Sequence, residues 1–466
     1  MTSRARATLP CCFAASLGLA LASGQPALAW EAETTHVGLA EEAALASSLH
    51  KRLTELGFSG GLFEVLAVPP ADAPELLAAL RRLSPATGVV PDARGRMTAL
   101  SWLAAGAAVA DAPVQFAVHH FFDPSSGKGW EAPPQSRLAA LWRKMRKVAP
   151  LPPRGIPAPD WLVDPQNPLG LEGFWAQYAK AITAATPGER SRHMAAALVA
   201  AGAALHVLGD VGTPSHARAD AAEYYEPLTE DGLVLGSRFD RVAALAFDRL
   251  GVPGPNRVVT RASVRAFFTS PEGDGLADLI SSRYFSAGTL PSSTNVAGAG
   301  AAPRLARPQP GVPAHLNLMA AAREGATLKS DQGVCLARYR IERNELEFYL
   351  DDACRLEQAQ AILPEVAAFE TGLLEFLMRG RLTLRQEGGA LVVSAGQKLA
   401  AGQLEILVED ARGQRTSLKA QELAGGEAGA ELARLGTPPG AKILALFRGK
   451  DGAGEAIVAV GAVVPE

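Results

Sequence analysis

This 466-residue chain has a small net charge and few cysteines. The formal net charge is -3, so we expect no polyanion-binding surface and no stable nucleic-acid partner. Beyond the N-terminal region we find no apolar run that approaches the length of a membrane span, so we expect no transmembrane span in the mature chain. Two of the four cysteines, Cys335 and Cys354, lie far from the N-terminus. They would be able to form a disulfide if the chain is exported.

The N-terminal region has the composition of a secretory signal. Arg4 and Arg6 precede an apolar run at about residues 9–21, and an A-x-A cleavage site ends at Ala29. We therefore expect residues 1–29 to be a signal peptide that is removed, and the mature protein to be secreted or periplasmic.

Cleavage after Ala29 would leave Trp30 at the new N-terminus. Its free α-amino group has an ordinary pKa near about 8, so a metal ion can take it deprotonated, and the Trp30 carbonyl oxygen could close a chelate ring on the same ion. The alternative is an aromatic residue that merely lies near a terminus. Thr35 is a plausible helix N-cap and places His36 in the first turn of a helix.

The segment L-H-V-L-G-D-V-G-T-P-S-H-A carries a second group of candidate ligands. His206 and Asp210 lie four residues apart in an apolar helical run, so their side chains lie on one helix face. A Gly and a Pro then end the helix, and His216 follows on the exit turn. Two imidazoles and a carboxylate at a helix end suit zinc or a similar cation.

Two further motifs precede this segment. G-A-A-V-A-D ends at Asp111, and H-F-F-D-P begins at His120. With Trp30 and the His206 segment, their order resembles the superfamily of zinc-dependent bacterial phospholipases C and single-strand-specific fungal nucleases over roughly residues 30–240. Those enzymes begin the mature chain with Trp, then carry an Asp ahead of an H-F-Y-D-P-type segment and a His-x-x-x-Asp…Pro-x-His stretch. The resemblance implies a mostly helical fold with a three-zinc site.

The resemblance also implies metal ligands, residue by residue. It assigns one zinc to Trp30, His36 and Asp210, a second to Asp111, His120, His206 and Asp210, and a third to His216 and Asp240. The family completes the third site with a His where this chain has Gly236. Asp220, Glu223 and Glu226 lie nearby in sequence and could substitute, or the third ion binds weakly. The expected cofactor is therefore two to three Zn²⁺ ions.

These ligands imply hydrolysis of a phosphoric diester. Water that bridges two zinc ions has its pKa lowered towards about 7, and zinc stabilises the charge that grows on a phosphoryl oxygen. Asp111 is the candidate general base, because in the family the matching carboxylate touches the attacking water. The alternative makes Asp111 a loop residue that caps a helix. The expected activity is that of an exported, zinc-dependent phospholipase C-type enzyme.

Phospholipid is the favoured substrate. Choline-preferring phospholipases of the family carry a Glu at the fourth mature position, where this chain has Glu33. Phe121, next to His120, is a candidate substrate contact or a core residue. The first alternative is a single-strand nuclease, which would need aromatic side chains on which bases stack and a groove lined by cationic residues. The second is a degenerate, non-catalytic binding protein, which Gly236 supports.

Hydrophobic periodicity divides the mature chain into two parts. Helical patterns within residues 30–380 predict helices at residues 41–56, 74–83, 96–110, 171–186, 188–210, 237–250, 264–282, 315–325 and 335–379. Short apolar runs with period-2 alternation predict a β-sandwich domain at residues 381–466. The expected fold is mainly α, with a multi-helix phospholipase C/nuclease-like domain followed by this small C-terminal β-sandwich. A basic amphipathic segment at residues 136–148 suits either transient contact with an anionic membrane surface or a surface helix.

Overall fold

The computed structural model describes residues 32–132, 152–224, 237–295, 316–436 and 442–463. The predictions for residues 1–29, Trp30, the basic segment at residues 136–148, Glu226 and Gly236 lie outside these ranges and stay predictions.

Helices dominate the first part of the described chain. They are α1 (Thr35–Ala46), α2 (Leu49–Glu55), α3 (Pro74–Leu80), α4 (Ala99–Val109), α5 (Ala158–Trp161), α6 (Leu171–Thr183), α7 (Pro187–Asp210), α8 (Pro214–Ala217), α9 (Ala221–Tyr224), α10 (Arg238–Ala246), α11 (Val264–Phe268), α12 (Leu276–Arg283), α13 (Leu318–Arg323) and α14 (Asp352–Leu377).

Strands form four antiparallel sheets among the described residues. They are β1 (Val65–Ala67), β2 (Arg96–Thr98), β3 (Thr294–Asn295), β4 (Ala326–Lys329), β5 (Cys335–Glu342), β6 (Glu345–Tyr349), β7 (Leu382–Glu387), β8 (Ala390–Ala395), β9 (Leu399–Glu409), β10 (Arg415–Leu423), β11 (Glu431–Gly436), β12 (Lys442–Asp451) and β13 (Ala456–Val463). The sheet orders are β1-β2, β3-β6-β5-β4, β11-β8-β7 and β10-β9-β12-β13.

The long helix α7 lies at the centre of the helical part. Thr186 and Glu189 form a reciprocal capping box at its N-terminus, and Pro187 occupies its first turn, so local sequence fixes where the helix begins. We expected no apolar run of membrane-spanning length beyond the N-terminal region. Among the described residues, however, α7 is long and apolar enough to cross a membrane by length and composition. Its most apolar 18-residue window is 89% buried in the structure, as in the core helix of a folded domain.

Two glycines bring α4 and α7 into backbone contact. A Cβ on Gly106 would lie 2.0 Å from the carbonyl oxygen of Val199, and a Cβ on Gly202 would lie 1.9 Å from that of Leu103. Carbon and oxygen cannot approach so closely, and only glycine permits the observed separation. The contact fixes the position of α4 against the half of α7 that carries His206.

The predicted helix at residues 335–379 is wrong over about its first third. The hairpin β5–β6 occupies residues 335–349, and α14 follows it. Arg343 and Asn344 at the turn have φ of 50° and 66°, as a tight hairpin with right-handed twist requires. A disulfide between Cys335 and Cys354 joins β5 to α14. This sheet interrupts the helical part, so the description "mainly α" understates the strand content.

Several other predicted helices are shorter than expected. Residues 41–56 divide into α1 and α2 because Ser47 is extended, with φ −88° and ψ 172°. The helix predicted at residues 96–110 begins only at Ala99, after strand β2, with Thr98 accepting a hydrogen bond from the backbone N–H of Ser101. Residues 264–282 form two helices, α11 and α12.

After Gly380 the chain forms the two facing sheets β11-β8-β7 and β10-β9-β12-β13, which enclose their own apolar core. Strands β10 and β11 were not predicted. Strand β10 is largely exposed and lacks an apolar alternation. The guanidinium of Arg415 donates to the carbonyl oxygens of Ile182 at 2.5 Å and Leu56 at 3.2 Å, which joins this β part to the helical part. The structure thus contains a helical part followed by a β part.

Candidate metal centre

Five candidate ligands come from four separate segments of the chain and meet in the core. His36 lies in the first turn of α1, and Asp111 follows the end of α4. His120 ends the 3₁₀ segment Val114–His120, while His206 and Asp210 lie one turn apart at the end of α7. The helical spacing predicted for the last two therefore places their side chains together, as expected.

Asp210 lies at the middle of this group. Its Oδ1 is 2.9 Å from His36 Nε2, and its Oδ2 is 2.6 Å from His120 Nδ1 and 3.2 Å from His206 Nε2. Asp111 faces the same two histidines, with Oδ1 3.2 Å from His120 Nδ1 and Oδ2 3.3 Å from His206 Nε2. One carboxylate thus contacts three imidazoles, and the second contacts two of them.

Four of these side chains fit a metal ion. The group comprises Asp111, His120, His206 and Asp210, whose ligand atoms all lie within 4.8 Å of one another. The separations of 3.2–3.3 Å match the roughly 3.3 Å edge of a tetrahedron whose metal–ligand distances are about 2.0 Å. The shorter contact between His120 and Asp210 is a hydrogen bond that a metal would replace.

The burial of these four side chains, several of whose polar atoms have no hydrogen-bond partner, also supports a metal site. Asp111 is 7% exposed, and the other three members of the group are at most 1% exposed. Both Oδ atoms of Asp111 and the Nε2 of His206 are buried without a hydrogen-bond partner among the described residues. Buried polar atoms normally have partners, so atoms without one that converge on one point indicate a ligand. The group can hold a metal ion.

The ring nitrogen of His206 that does not face the carboxylates contacts the protein backbone. Its Nδ1 lies 2.7 Å from the carbonyl oxygen of Ala107 on α4. A hydrogen bond from Nδ1–H to this carbonyl leaves Nε2 unprotonated and aimed at the carboxylates, the arrangement typical of histidine ligands. The close packing through Gly106 and Gly202 is what brings this carbonyl within reach.

Without a metal ion, the charged side chains of this group shift one another's pKa values. Burial would lower the pKa of His206, but the carboxylates of Asp210 and Asp111 raise it well above its ordinary value. Burial would raise the pKa of Asp210, but His206 and His36 hold it well below its ordinary value. Burial and the nearby His206 lower the pKa of His36. The carboxylates of Asp210 and Asp111 thus favour a positive charge at this position, and a bound cation can supply it.

His216 lies beside the group of four rather than within it. Burial lowers the pKa of this imidazole to about 4, against the attraction of Asp210, so the ring is neutral. Its Nδ1 lies 2.8 Å from Thr213 Oγ1, and its ring stacks on Phe121 with ring centroids 3.9 Å apart. Phe121 is fully buried and also packs against Trp130. The structure therefore places Phe121 as the support of the His216 ring.

Asp240 lies away from the group of four. It caps α10, where its Oδ2 accepts a hydrogen bond from the backbone N–H of Ser237. Its charge acts on Glu223, as does that of Asp220. Asp220 Oδ2 accepts from the backbone N–H of Gly288, and Glu223 Oε2 accepts from that of Ala287. Asp220, Glu223 and Asp240 thus form a second neighbourhood of acids, on which Arg355 also acts and which the first group does not include.

Glu223 predicts a pH dependence of stability. Burial and the nearby Asp220 raise its pKa to about 8, whereas its ordinary value is 4.5. The folded state therefore keeps a proton that the unfolded state loses, and stability falls as the pH rises from about 4.5 to about 8. We expect Glu223→Gln to remove this fall and to raise the free energy of unfolding at pH 9 by roughly 2–4 kcal/mol.

Denaturant unfolding of the metal-free protein at pH 5 and pH 9 tests this expectation. The matched control is Glu272→Gln at an exposed position, which should leave both values unchanged. An equal pH dependence in wild type and Glu223→Gln would contradict the assignment.

Glu33 and His119 each make contacts outside the group of four. Glu33 is partly exposed, and its Oε2 accepts a hydrogen bond from the backbone N–H of Ser84. His119 stacks on Trp161 with ring centroids 4.1 Å apart, and its Nδ1 accepts from the backbone N–H of Ile156. His119 thus has a packing role.

Sequence reasoning missed Glu370, a buried acid on α14 next to the metal centre. It is 1% exposed, and burial raises its pKa well above its ordinary value, with Asp210 adding to the effect. A Glu inside the apolar run V-A-A-F-E-T-G-L-L is the signal that could have identified it.

No protein-family model and no curated protein matches this chain. Among solved structures it is similar to an alpha-toxin of Clostridium perfringens from an avian strain, with 11% identity and a TM-score of 0.28 over 92% of this chain and 96% of that chain. It is also similar to an alpha-toxin of Clostridium absonum, with 10% identity and a TM-score of 0.24 over 93% and 94% of the two chains. At these values the likeness is distant, and the chemistry of the site rests on its own residues.

Proposed function

We propose that this protein is an exported, zinc-dependent phosphoric diester hydrolase of the phospholipase C type. The observation that carries the proposal is the buried group of two imidazoles and two carboxylates whose ligand atoms lie within 4.8 Å of one another. This donor set is one that zinc takes in hydrolytic enzymes. Burying so many ionisable groups together is unfavourable without a cation to compensate them, so a purely structural role does not account for the group.

The proposed centre has two zinc ions that share Asp210. His36 and the Trp30 amine and carbonyl would hold one ion, and Asp111, His120, His206 and Asp210 would hold the other. Bound zinc would polarise a phosphoryl oxygen and make water a nucleophile at neutral pH. His216 remains a candidate for a third ion, whose other ligands are unassigned because Asp240 lies with Glu223.

Asp111 is proposed as the general base. Burial would raise the pKa of its carboxyl, but the imidazoles of His206 and His120 hold it below its ordinary value, so it is a carboxylate at neutral pH. Its oxygens have no hydrogen-bond partner among the described residues, and it is the most exposed member of the group of four. It can therefore accept a proton at Oδ1 or Oδ2 from a nucleophile that enters from the solvent side.

A phospholipid is the proposed substrate, with a single-stranded nucleic acid as the second candidate. A nuclease needs exposed aromatic rings on which bases stack and cations along a groove. Phe121 is fully buried against His216 and offers no such shelf, and the net charge of -3 is unfavourable for a polyanion. Export follows from the predicted signal peptide, and transient membrane contact would follow from the basic segment at residues 136–148.

Metal removal and reconstitution test the proposal. We expect about two zinc ions per chain in protein that begins at Trp30, and turnover of phosphatidylcholine vesicles that a chelator abolishes and added Zn²⁺ restores. Zinc is measured by elemental analysis, and released headgroup is assayed on the same sample. Turnover of single-stranded DNA instead would favour the nuclease. Less than one zinc ion per chain and no turnover of either substrate would leave the degenerate binding protein.

A further inference from the structure

Glu370 and His36 both border Gly209, the residue that precedes Asp210 on α7. A Cβ on Gly209 would lie 2.6 Å from Glu370 Oε1 and 3.2–3.3 Å from Cε1 and Nδ1 of His36. The Glu370 carboxyl and the Nδ1 edge of His36 therefore border the same small space, which Gly209 leaves open. The other ring nitrogen of His36, Nε2, contacts Asp210.

Both oxygens of this carboxyl lack a partner. Glu370 Oε1 and Oε2 are buried and accept no hydrogen bond from any described residue. A buried carboxyl without a hydrogen bond destabilises a fold, and hydrophobic residues surround this one on α14, for example Phe369 and Leu373. An apolar side chain would suit the position better if packing were its only role.

We propose that Glu370 is a positioning residue of the metal centre, whose carboxyl would accept a hydrogen bond from Nδ1–H of His36 when the centre holds zinc and would so fix the ring with Nε2 towards Asp210. This inference rests on the proposed zinc function. Histidine ligands generally donate their second ring N–H to a carboxylate or a carbonyl, which fixes the tautomer and the ring orientation. His206 uses the carbonyl of Ala107 in this way, and Glu370 would give His36 the equivalent support in the zinc-bound centre.

The test compares zinc affinity and metal-free stability in Glu370→Leu, Glu370→Gln and wild type. Zinc affinity is measured by competition with a chromophoric chelator, and stability by denaturant unfolding after chelation. We expect Glu370→Leu to bind Zn²⁺ roughly 10- to 100-fold more weakly. Its metal-free stability should equal or exceed that of wild type, because an unpartnered buried carboxyl is gone. A purely structural residue would not lose affinity while keeping stability.

Glu370→Gln keeps an acceptor oxygen and should retain zinc affinity within about threefold. The matched control, Glu365→Leu, makes the same change at a partly exposed position on the same helix and should bind zinc as wild type does. Glu370→Met, unbranched and of similar length, takes the place of Glu370→Leu if that variant does not fold.

Two results would overturn the inference. Wild-type zinc affinity in Glu370→Leu would show that the carboxyl does not support His36. Loss of affinity in Glu370→Gln equal to that in Glu370→Leu would show that the charge is needed, as in a direct ligand. A wild-type protein that binds no zinc would overturn the proposed function first, and this inference with it.

Discussion

Asp210→Asn should abolish both metal binding and hydrolysis. The carboxylate of Asp210 contacts His36, His120 and His206, so it is the residue that both proposed zinc ions share. An amide is a poor zinc ligand and brings no negative charge to the group. Loss of the metal removes several kcal/mol of transition-state stabilisation, which corresponds to a rate decrease of roughly 10³-fold or more. Elemental analysis and the phosphatidylcholine assay on the same sample measure the two effects.

His193→Ala is the matched control for this variant. His193 lies on the same helix, outside the group, and its Nδ1 is 2.7 Å from Gln177 Oε1. We expect its zinc content and activity to equal those of wild type. Circular dichroism of chelated samples separates loss of ligand from loss of fold. Full zinc content in Asp210→Asn would refute the shared-ligand assignment.

Gly202→Ala should destabilise the fold and the metal centre together. The added methyl group would lie 1.9 Å from the carbonyl oxygen of Leu103, so α4 and α7 must move apart. We expect a loss on the order of 3 kcal/mol in the free energy of unfolding. The same movement would draw the Ala107 carbonyl away from His206 Nδ1 and weaken zinc binding. Denaturant unfolding and chelator competition measure the two losses.

Gly188→Ala provides the comparison on the same helix. A Cβ at Gly188 meets nothing within 4 Å, so this substitution should change stability by no more than about 0.5 kcal/mol. Equal stability of Gly202→Ala and Gly188→Ala would show that the helices do not need their close approach.

Sequence patterns predicted the central helices because each carries strong local signals. Residues 188–210 were placed within one residue of α7, since the apolar run and its terminators act locally. The hairpin at residues 335–349 was missed because it was grouped with the long apolar helix that follows it. Its alternation and the Arg343-Asn344 turn were the available evidence, and tertiary pairing with β4 decides the outcome.

The candidate site was partly accessible from sequence. The spacing of His206 and Asp210 follows from helix geometry, but spacing says nothing of where Asp240 lies once the chain folds. Asp240 is buried with other acids because α10 packs there, and the capping box at Ser237 uses Oδ2 of its carboxylate. Glu370 contributes from α14, far along the chain, and no local pattern links it to His36.

The contacts around Asp210 join residues that are 90 and 174 positions apart in the chain. Closing loops of that length carries an entropic penalty that packing must offset, so these contacts need the surrounding core to be packed. Ion capture would therefore belong to the last stage of maturation. A nascent or partly folded chain would have little selectivity for zinc, and the supply of metal where folding finishes would determine how much protein becomes active.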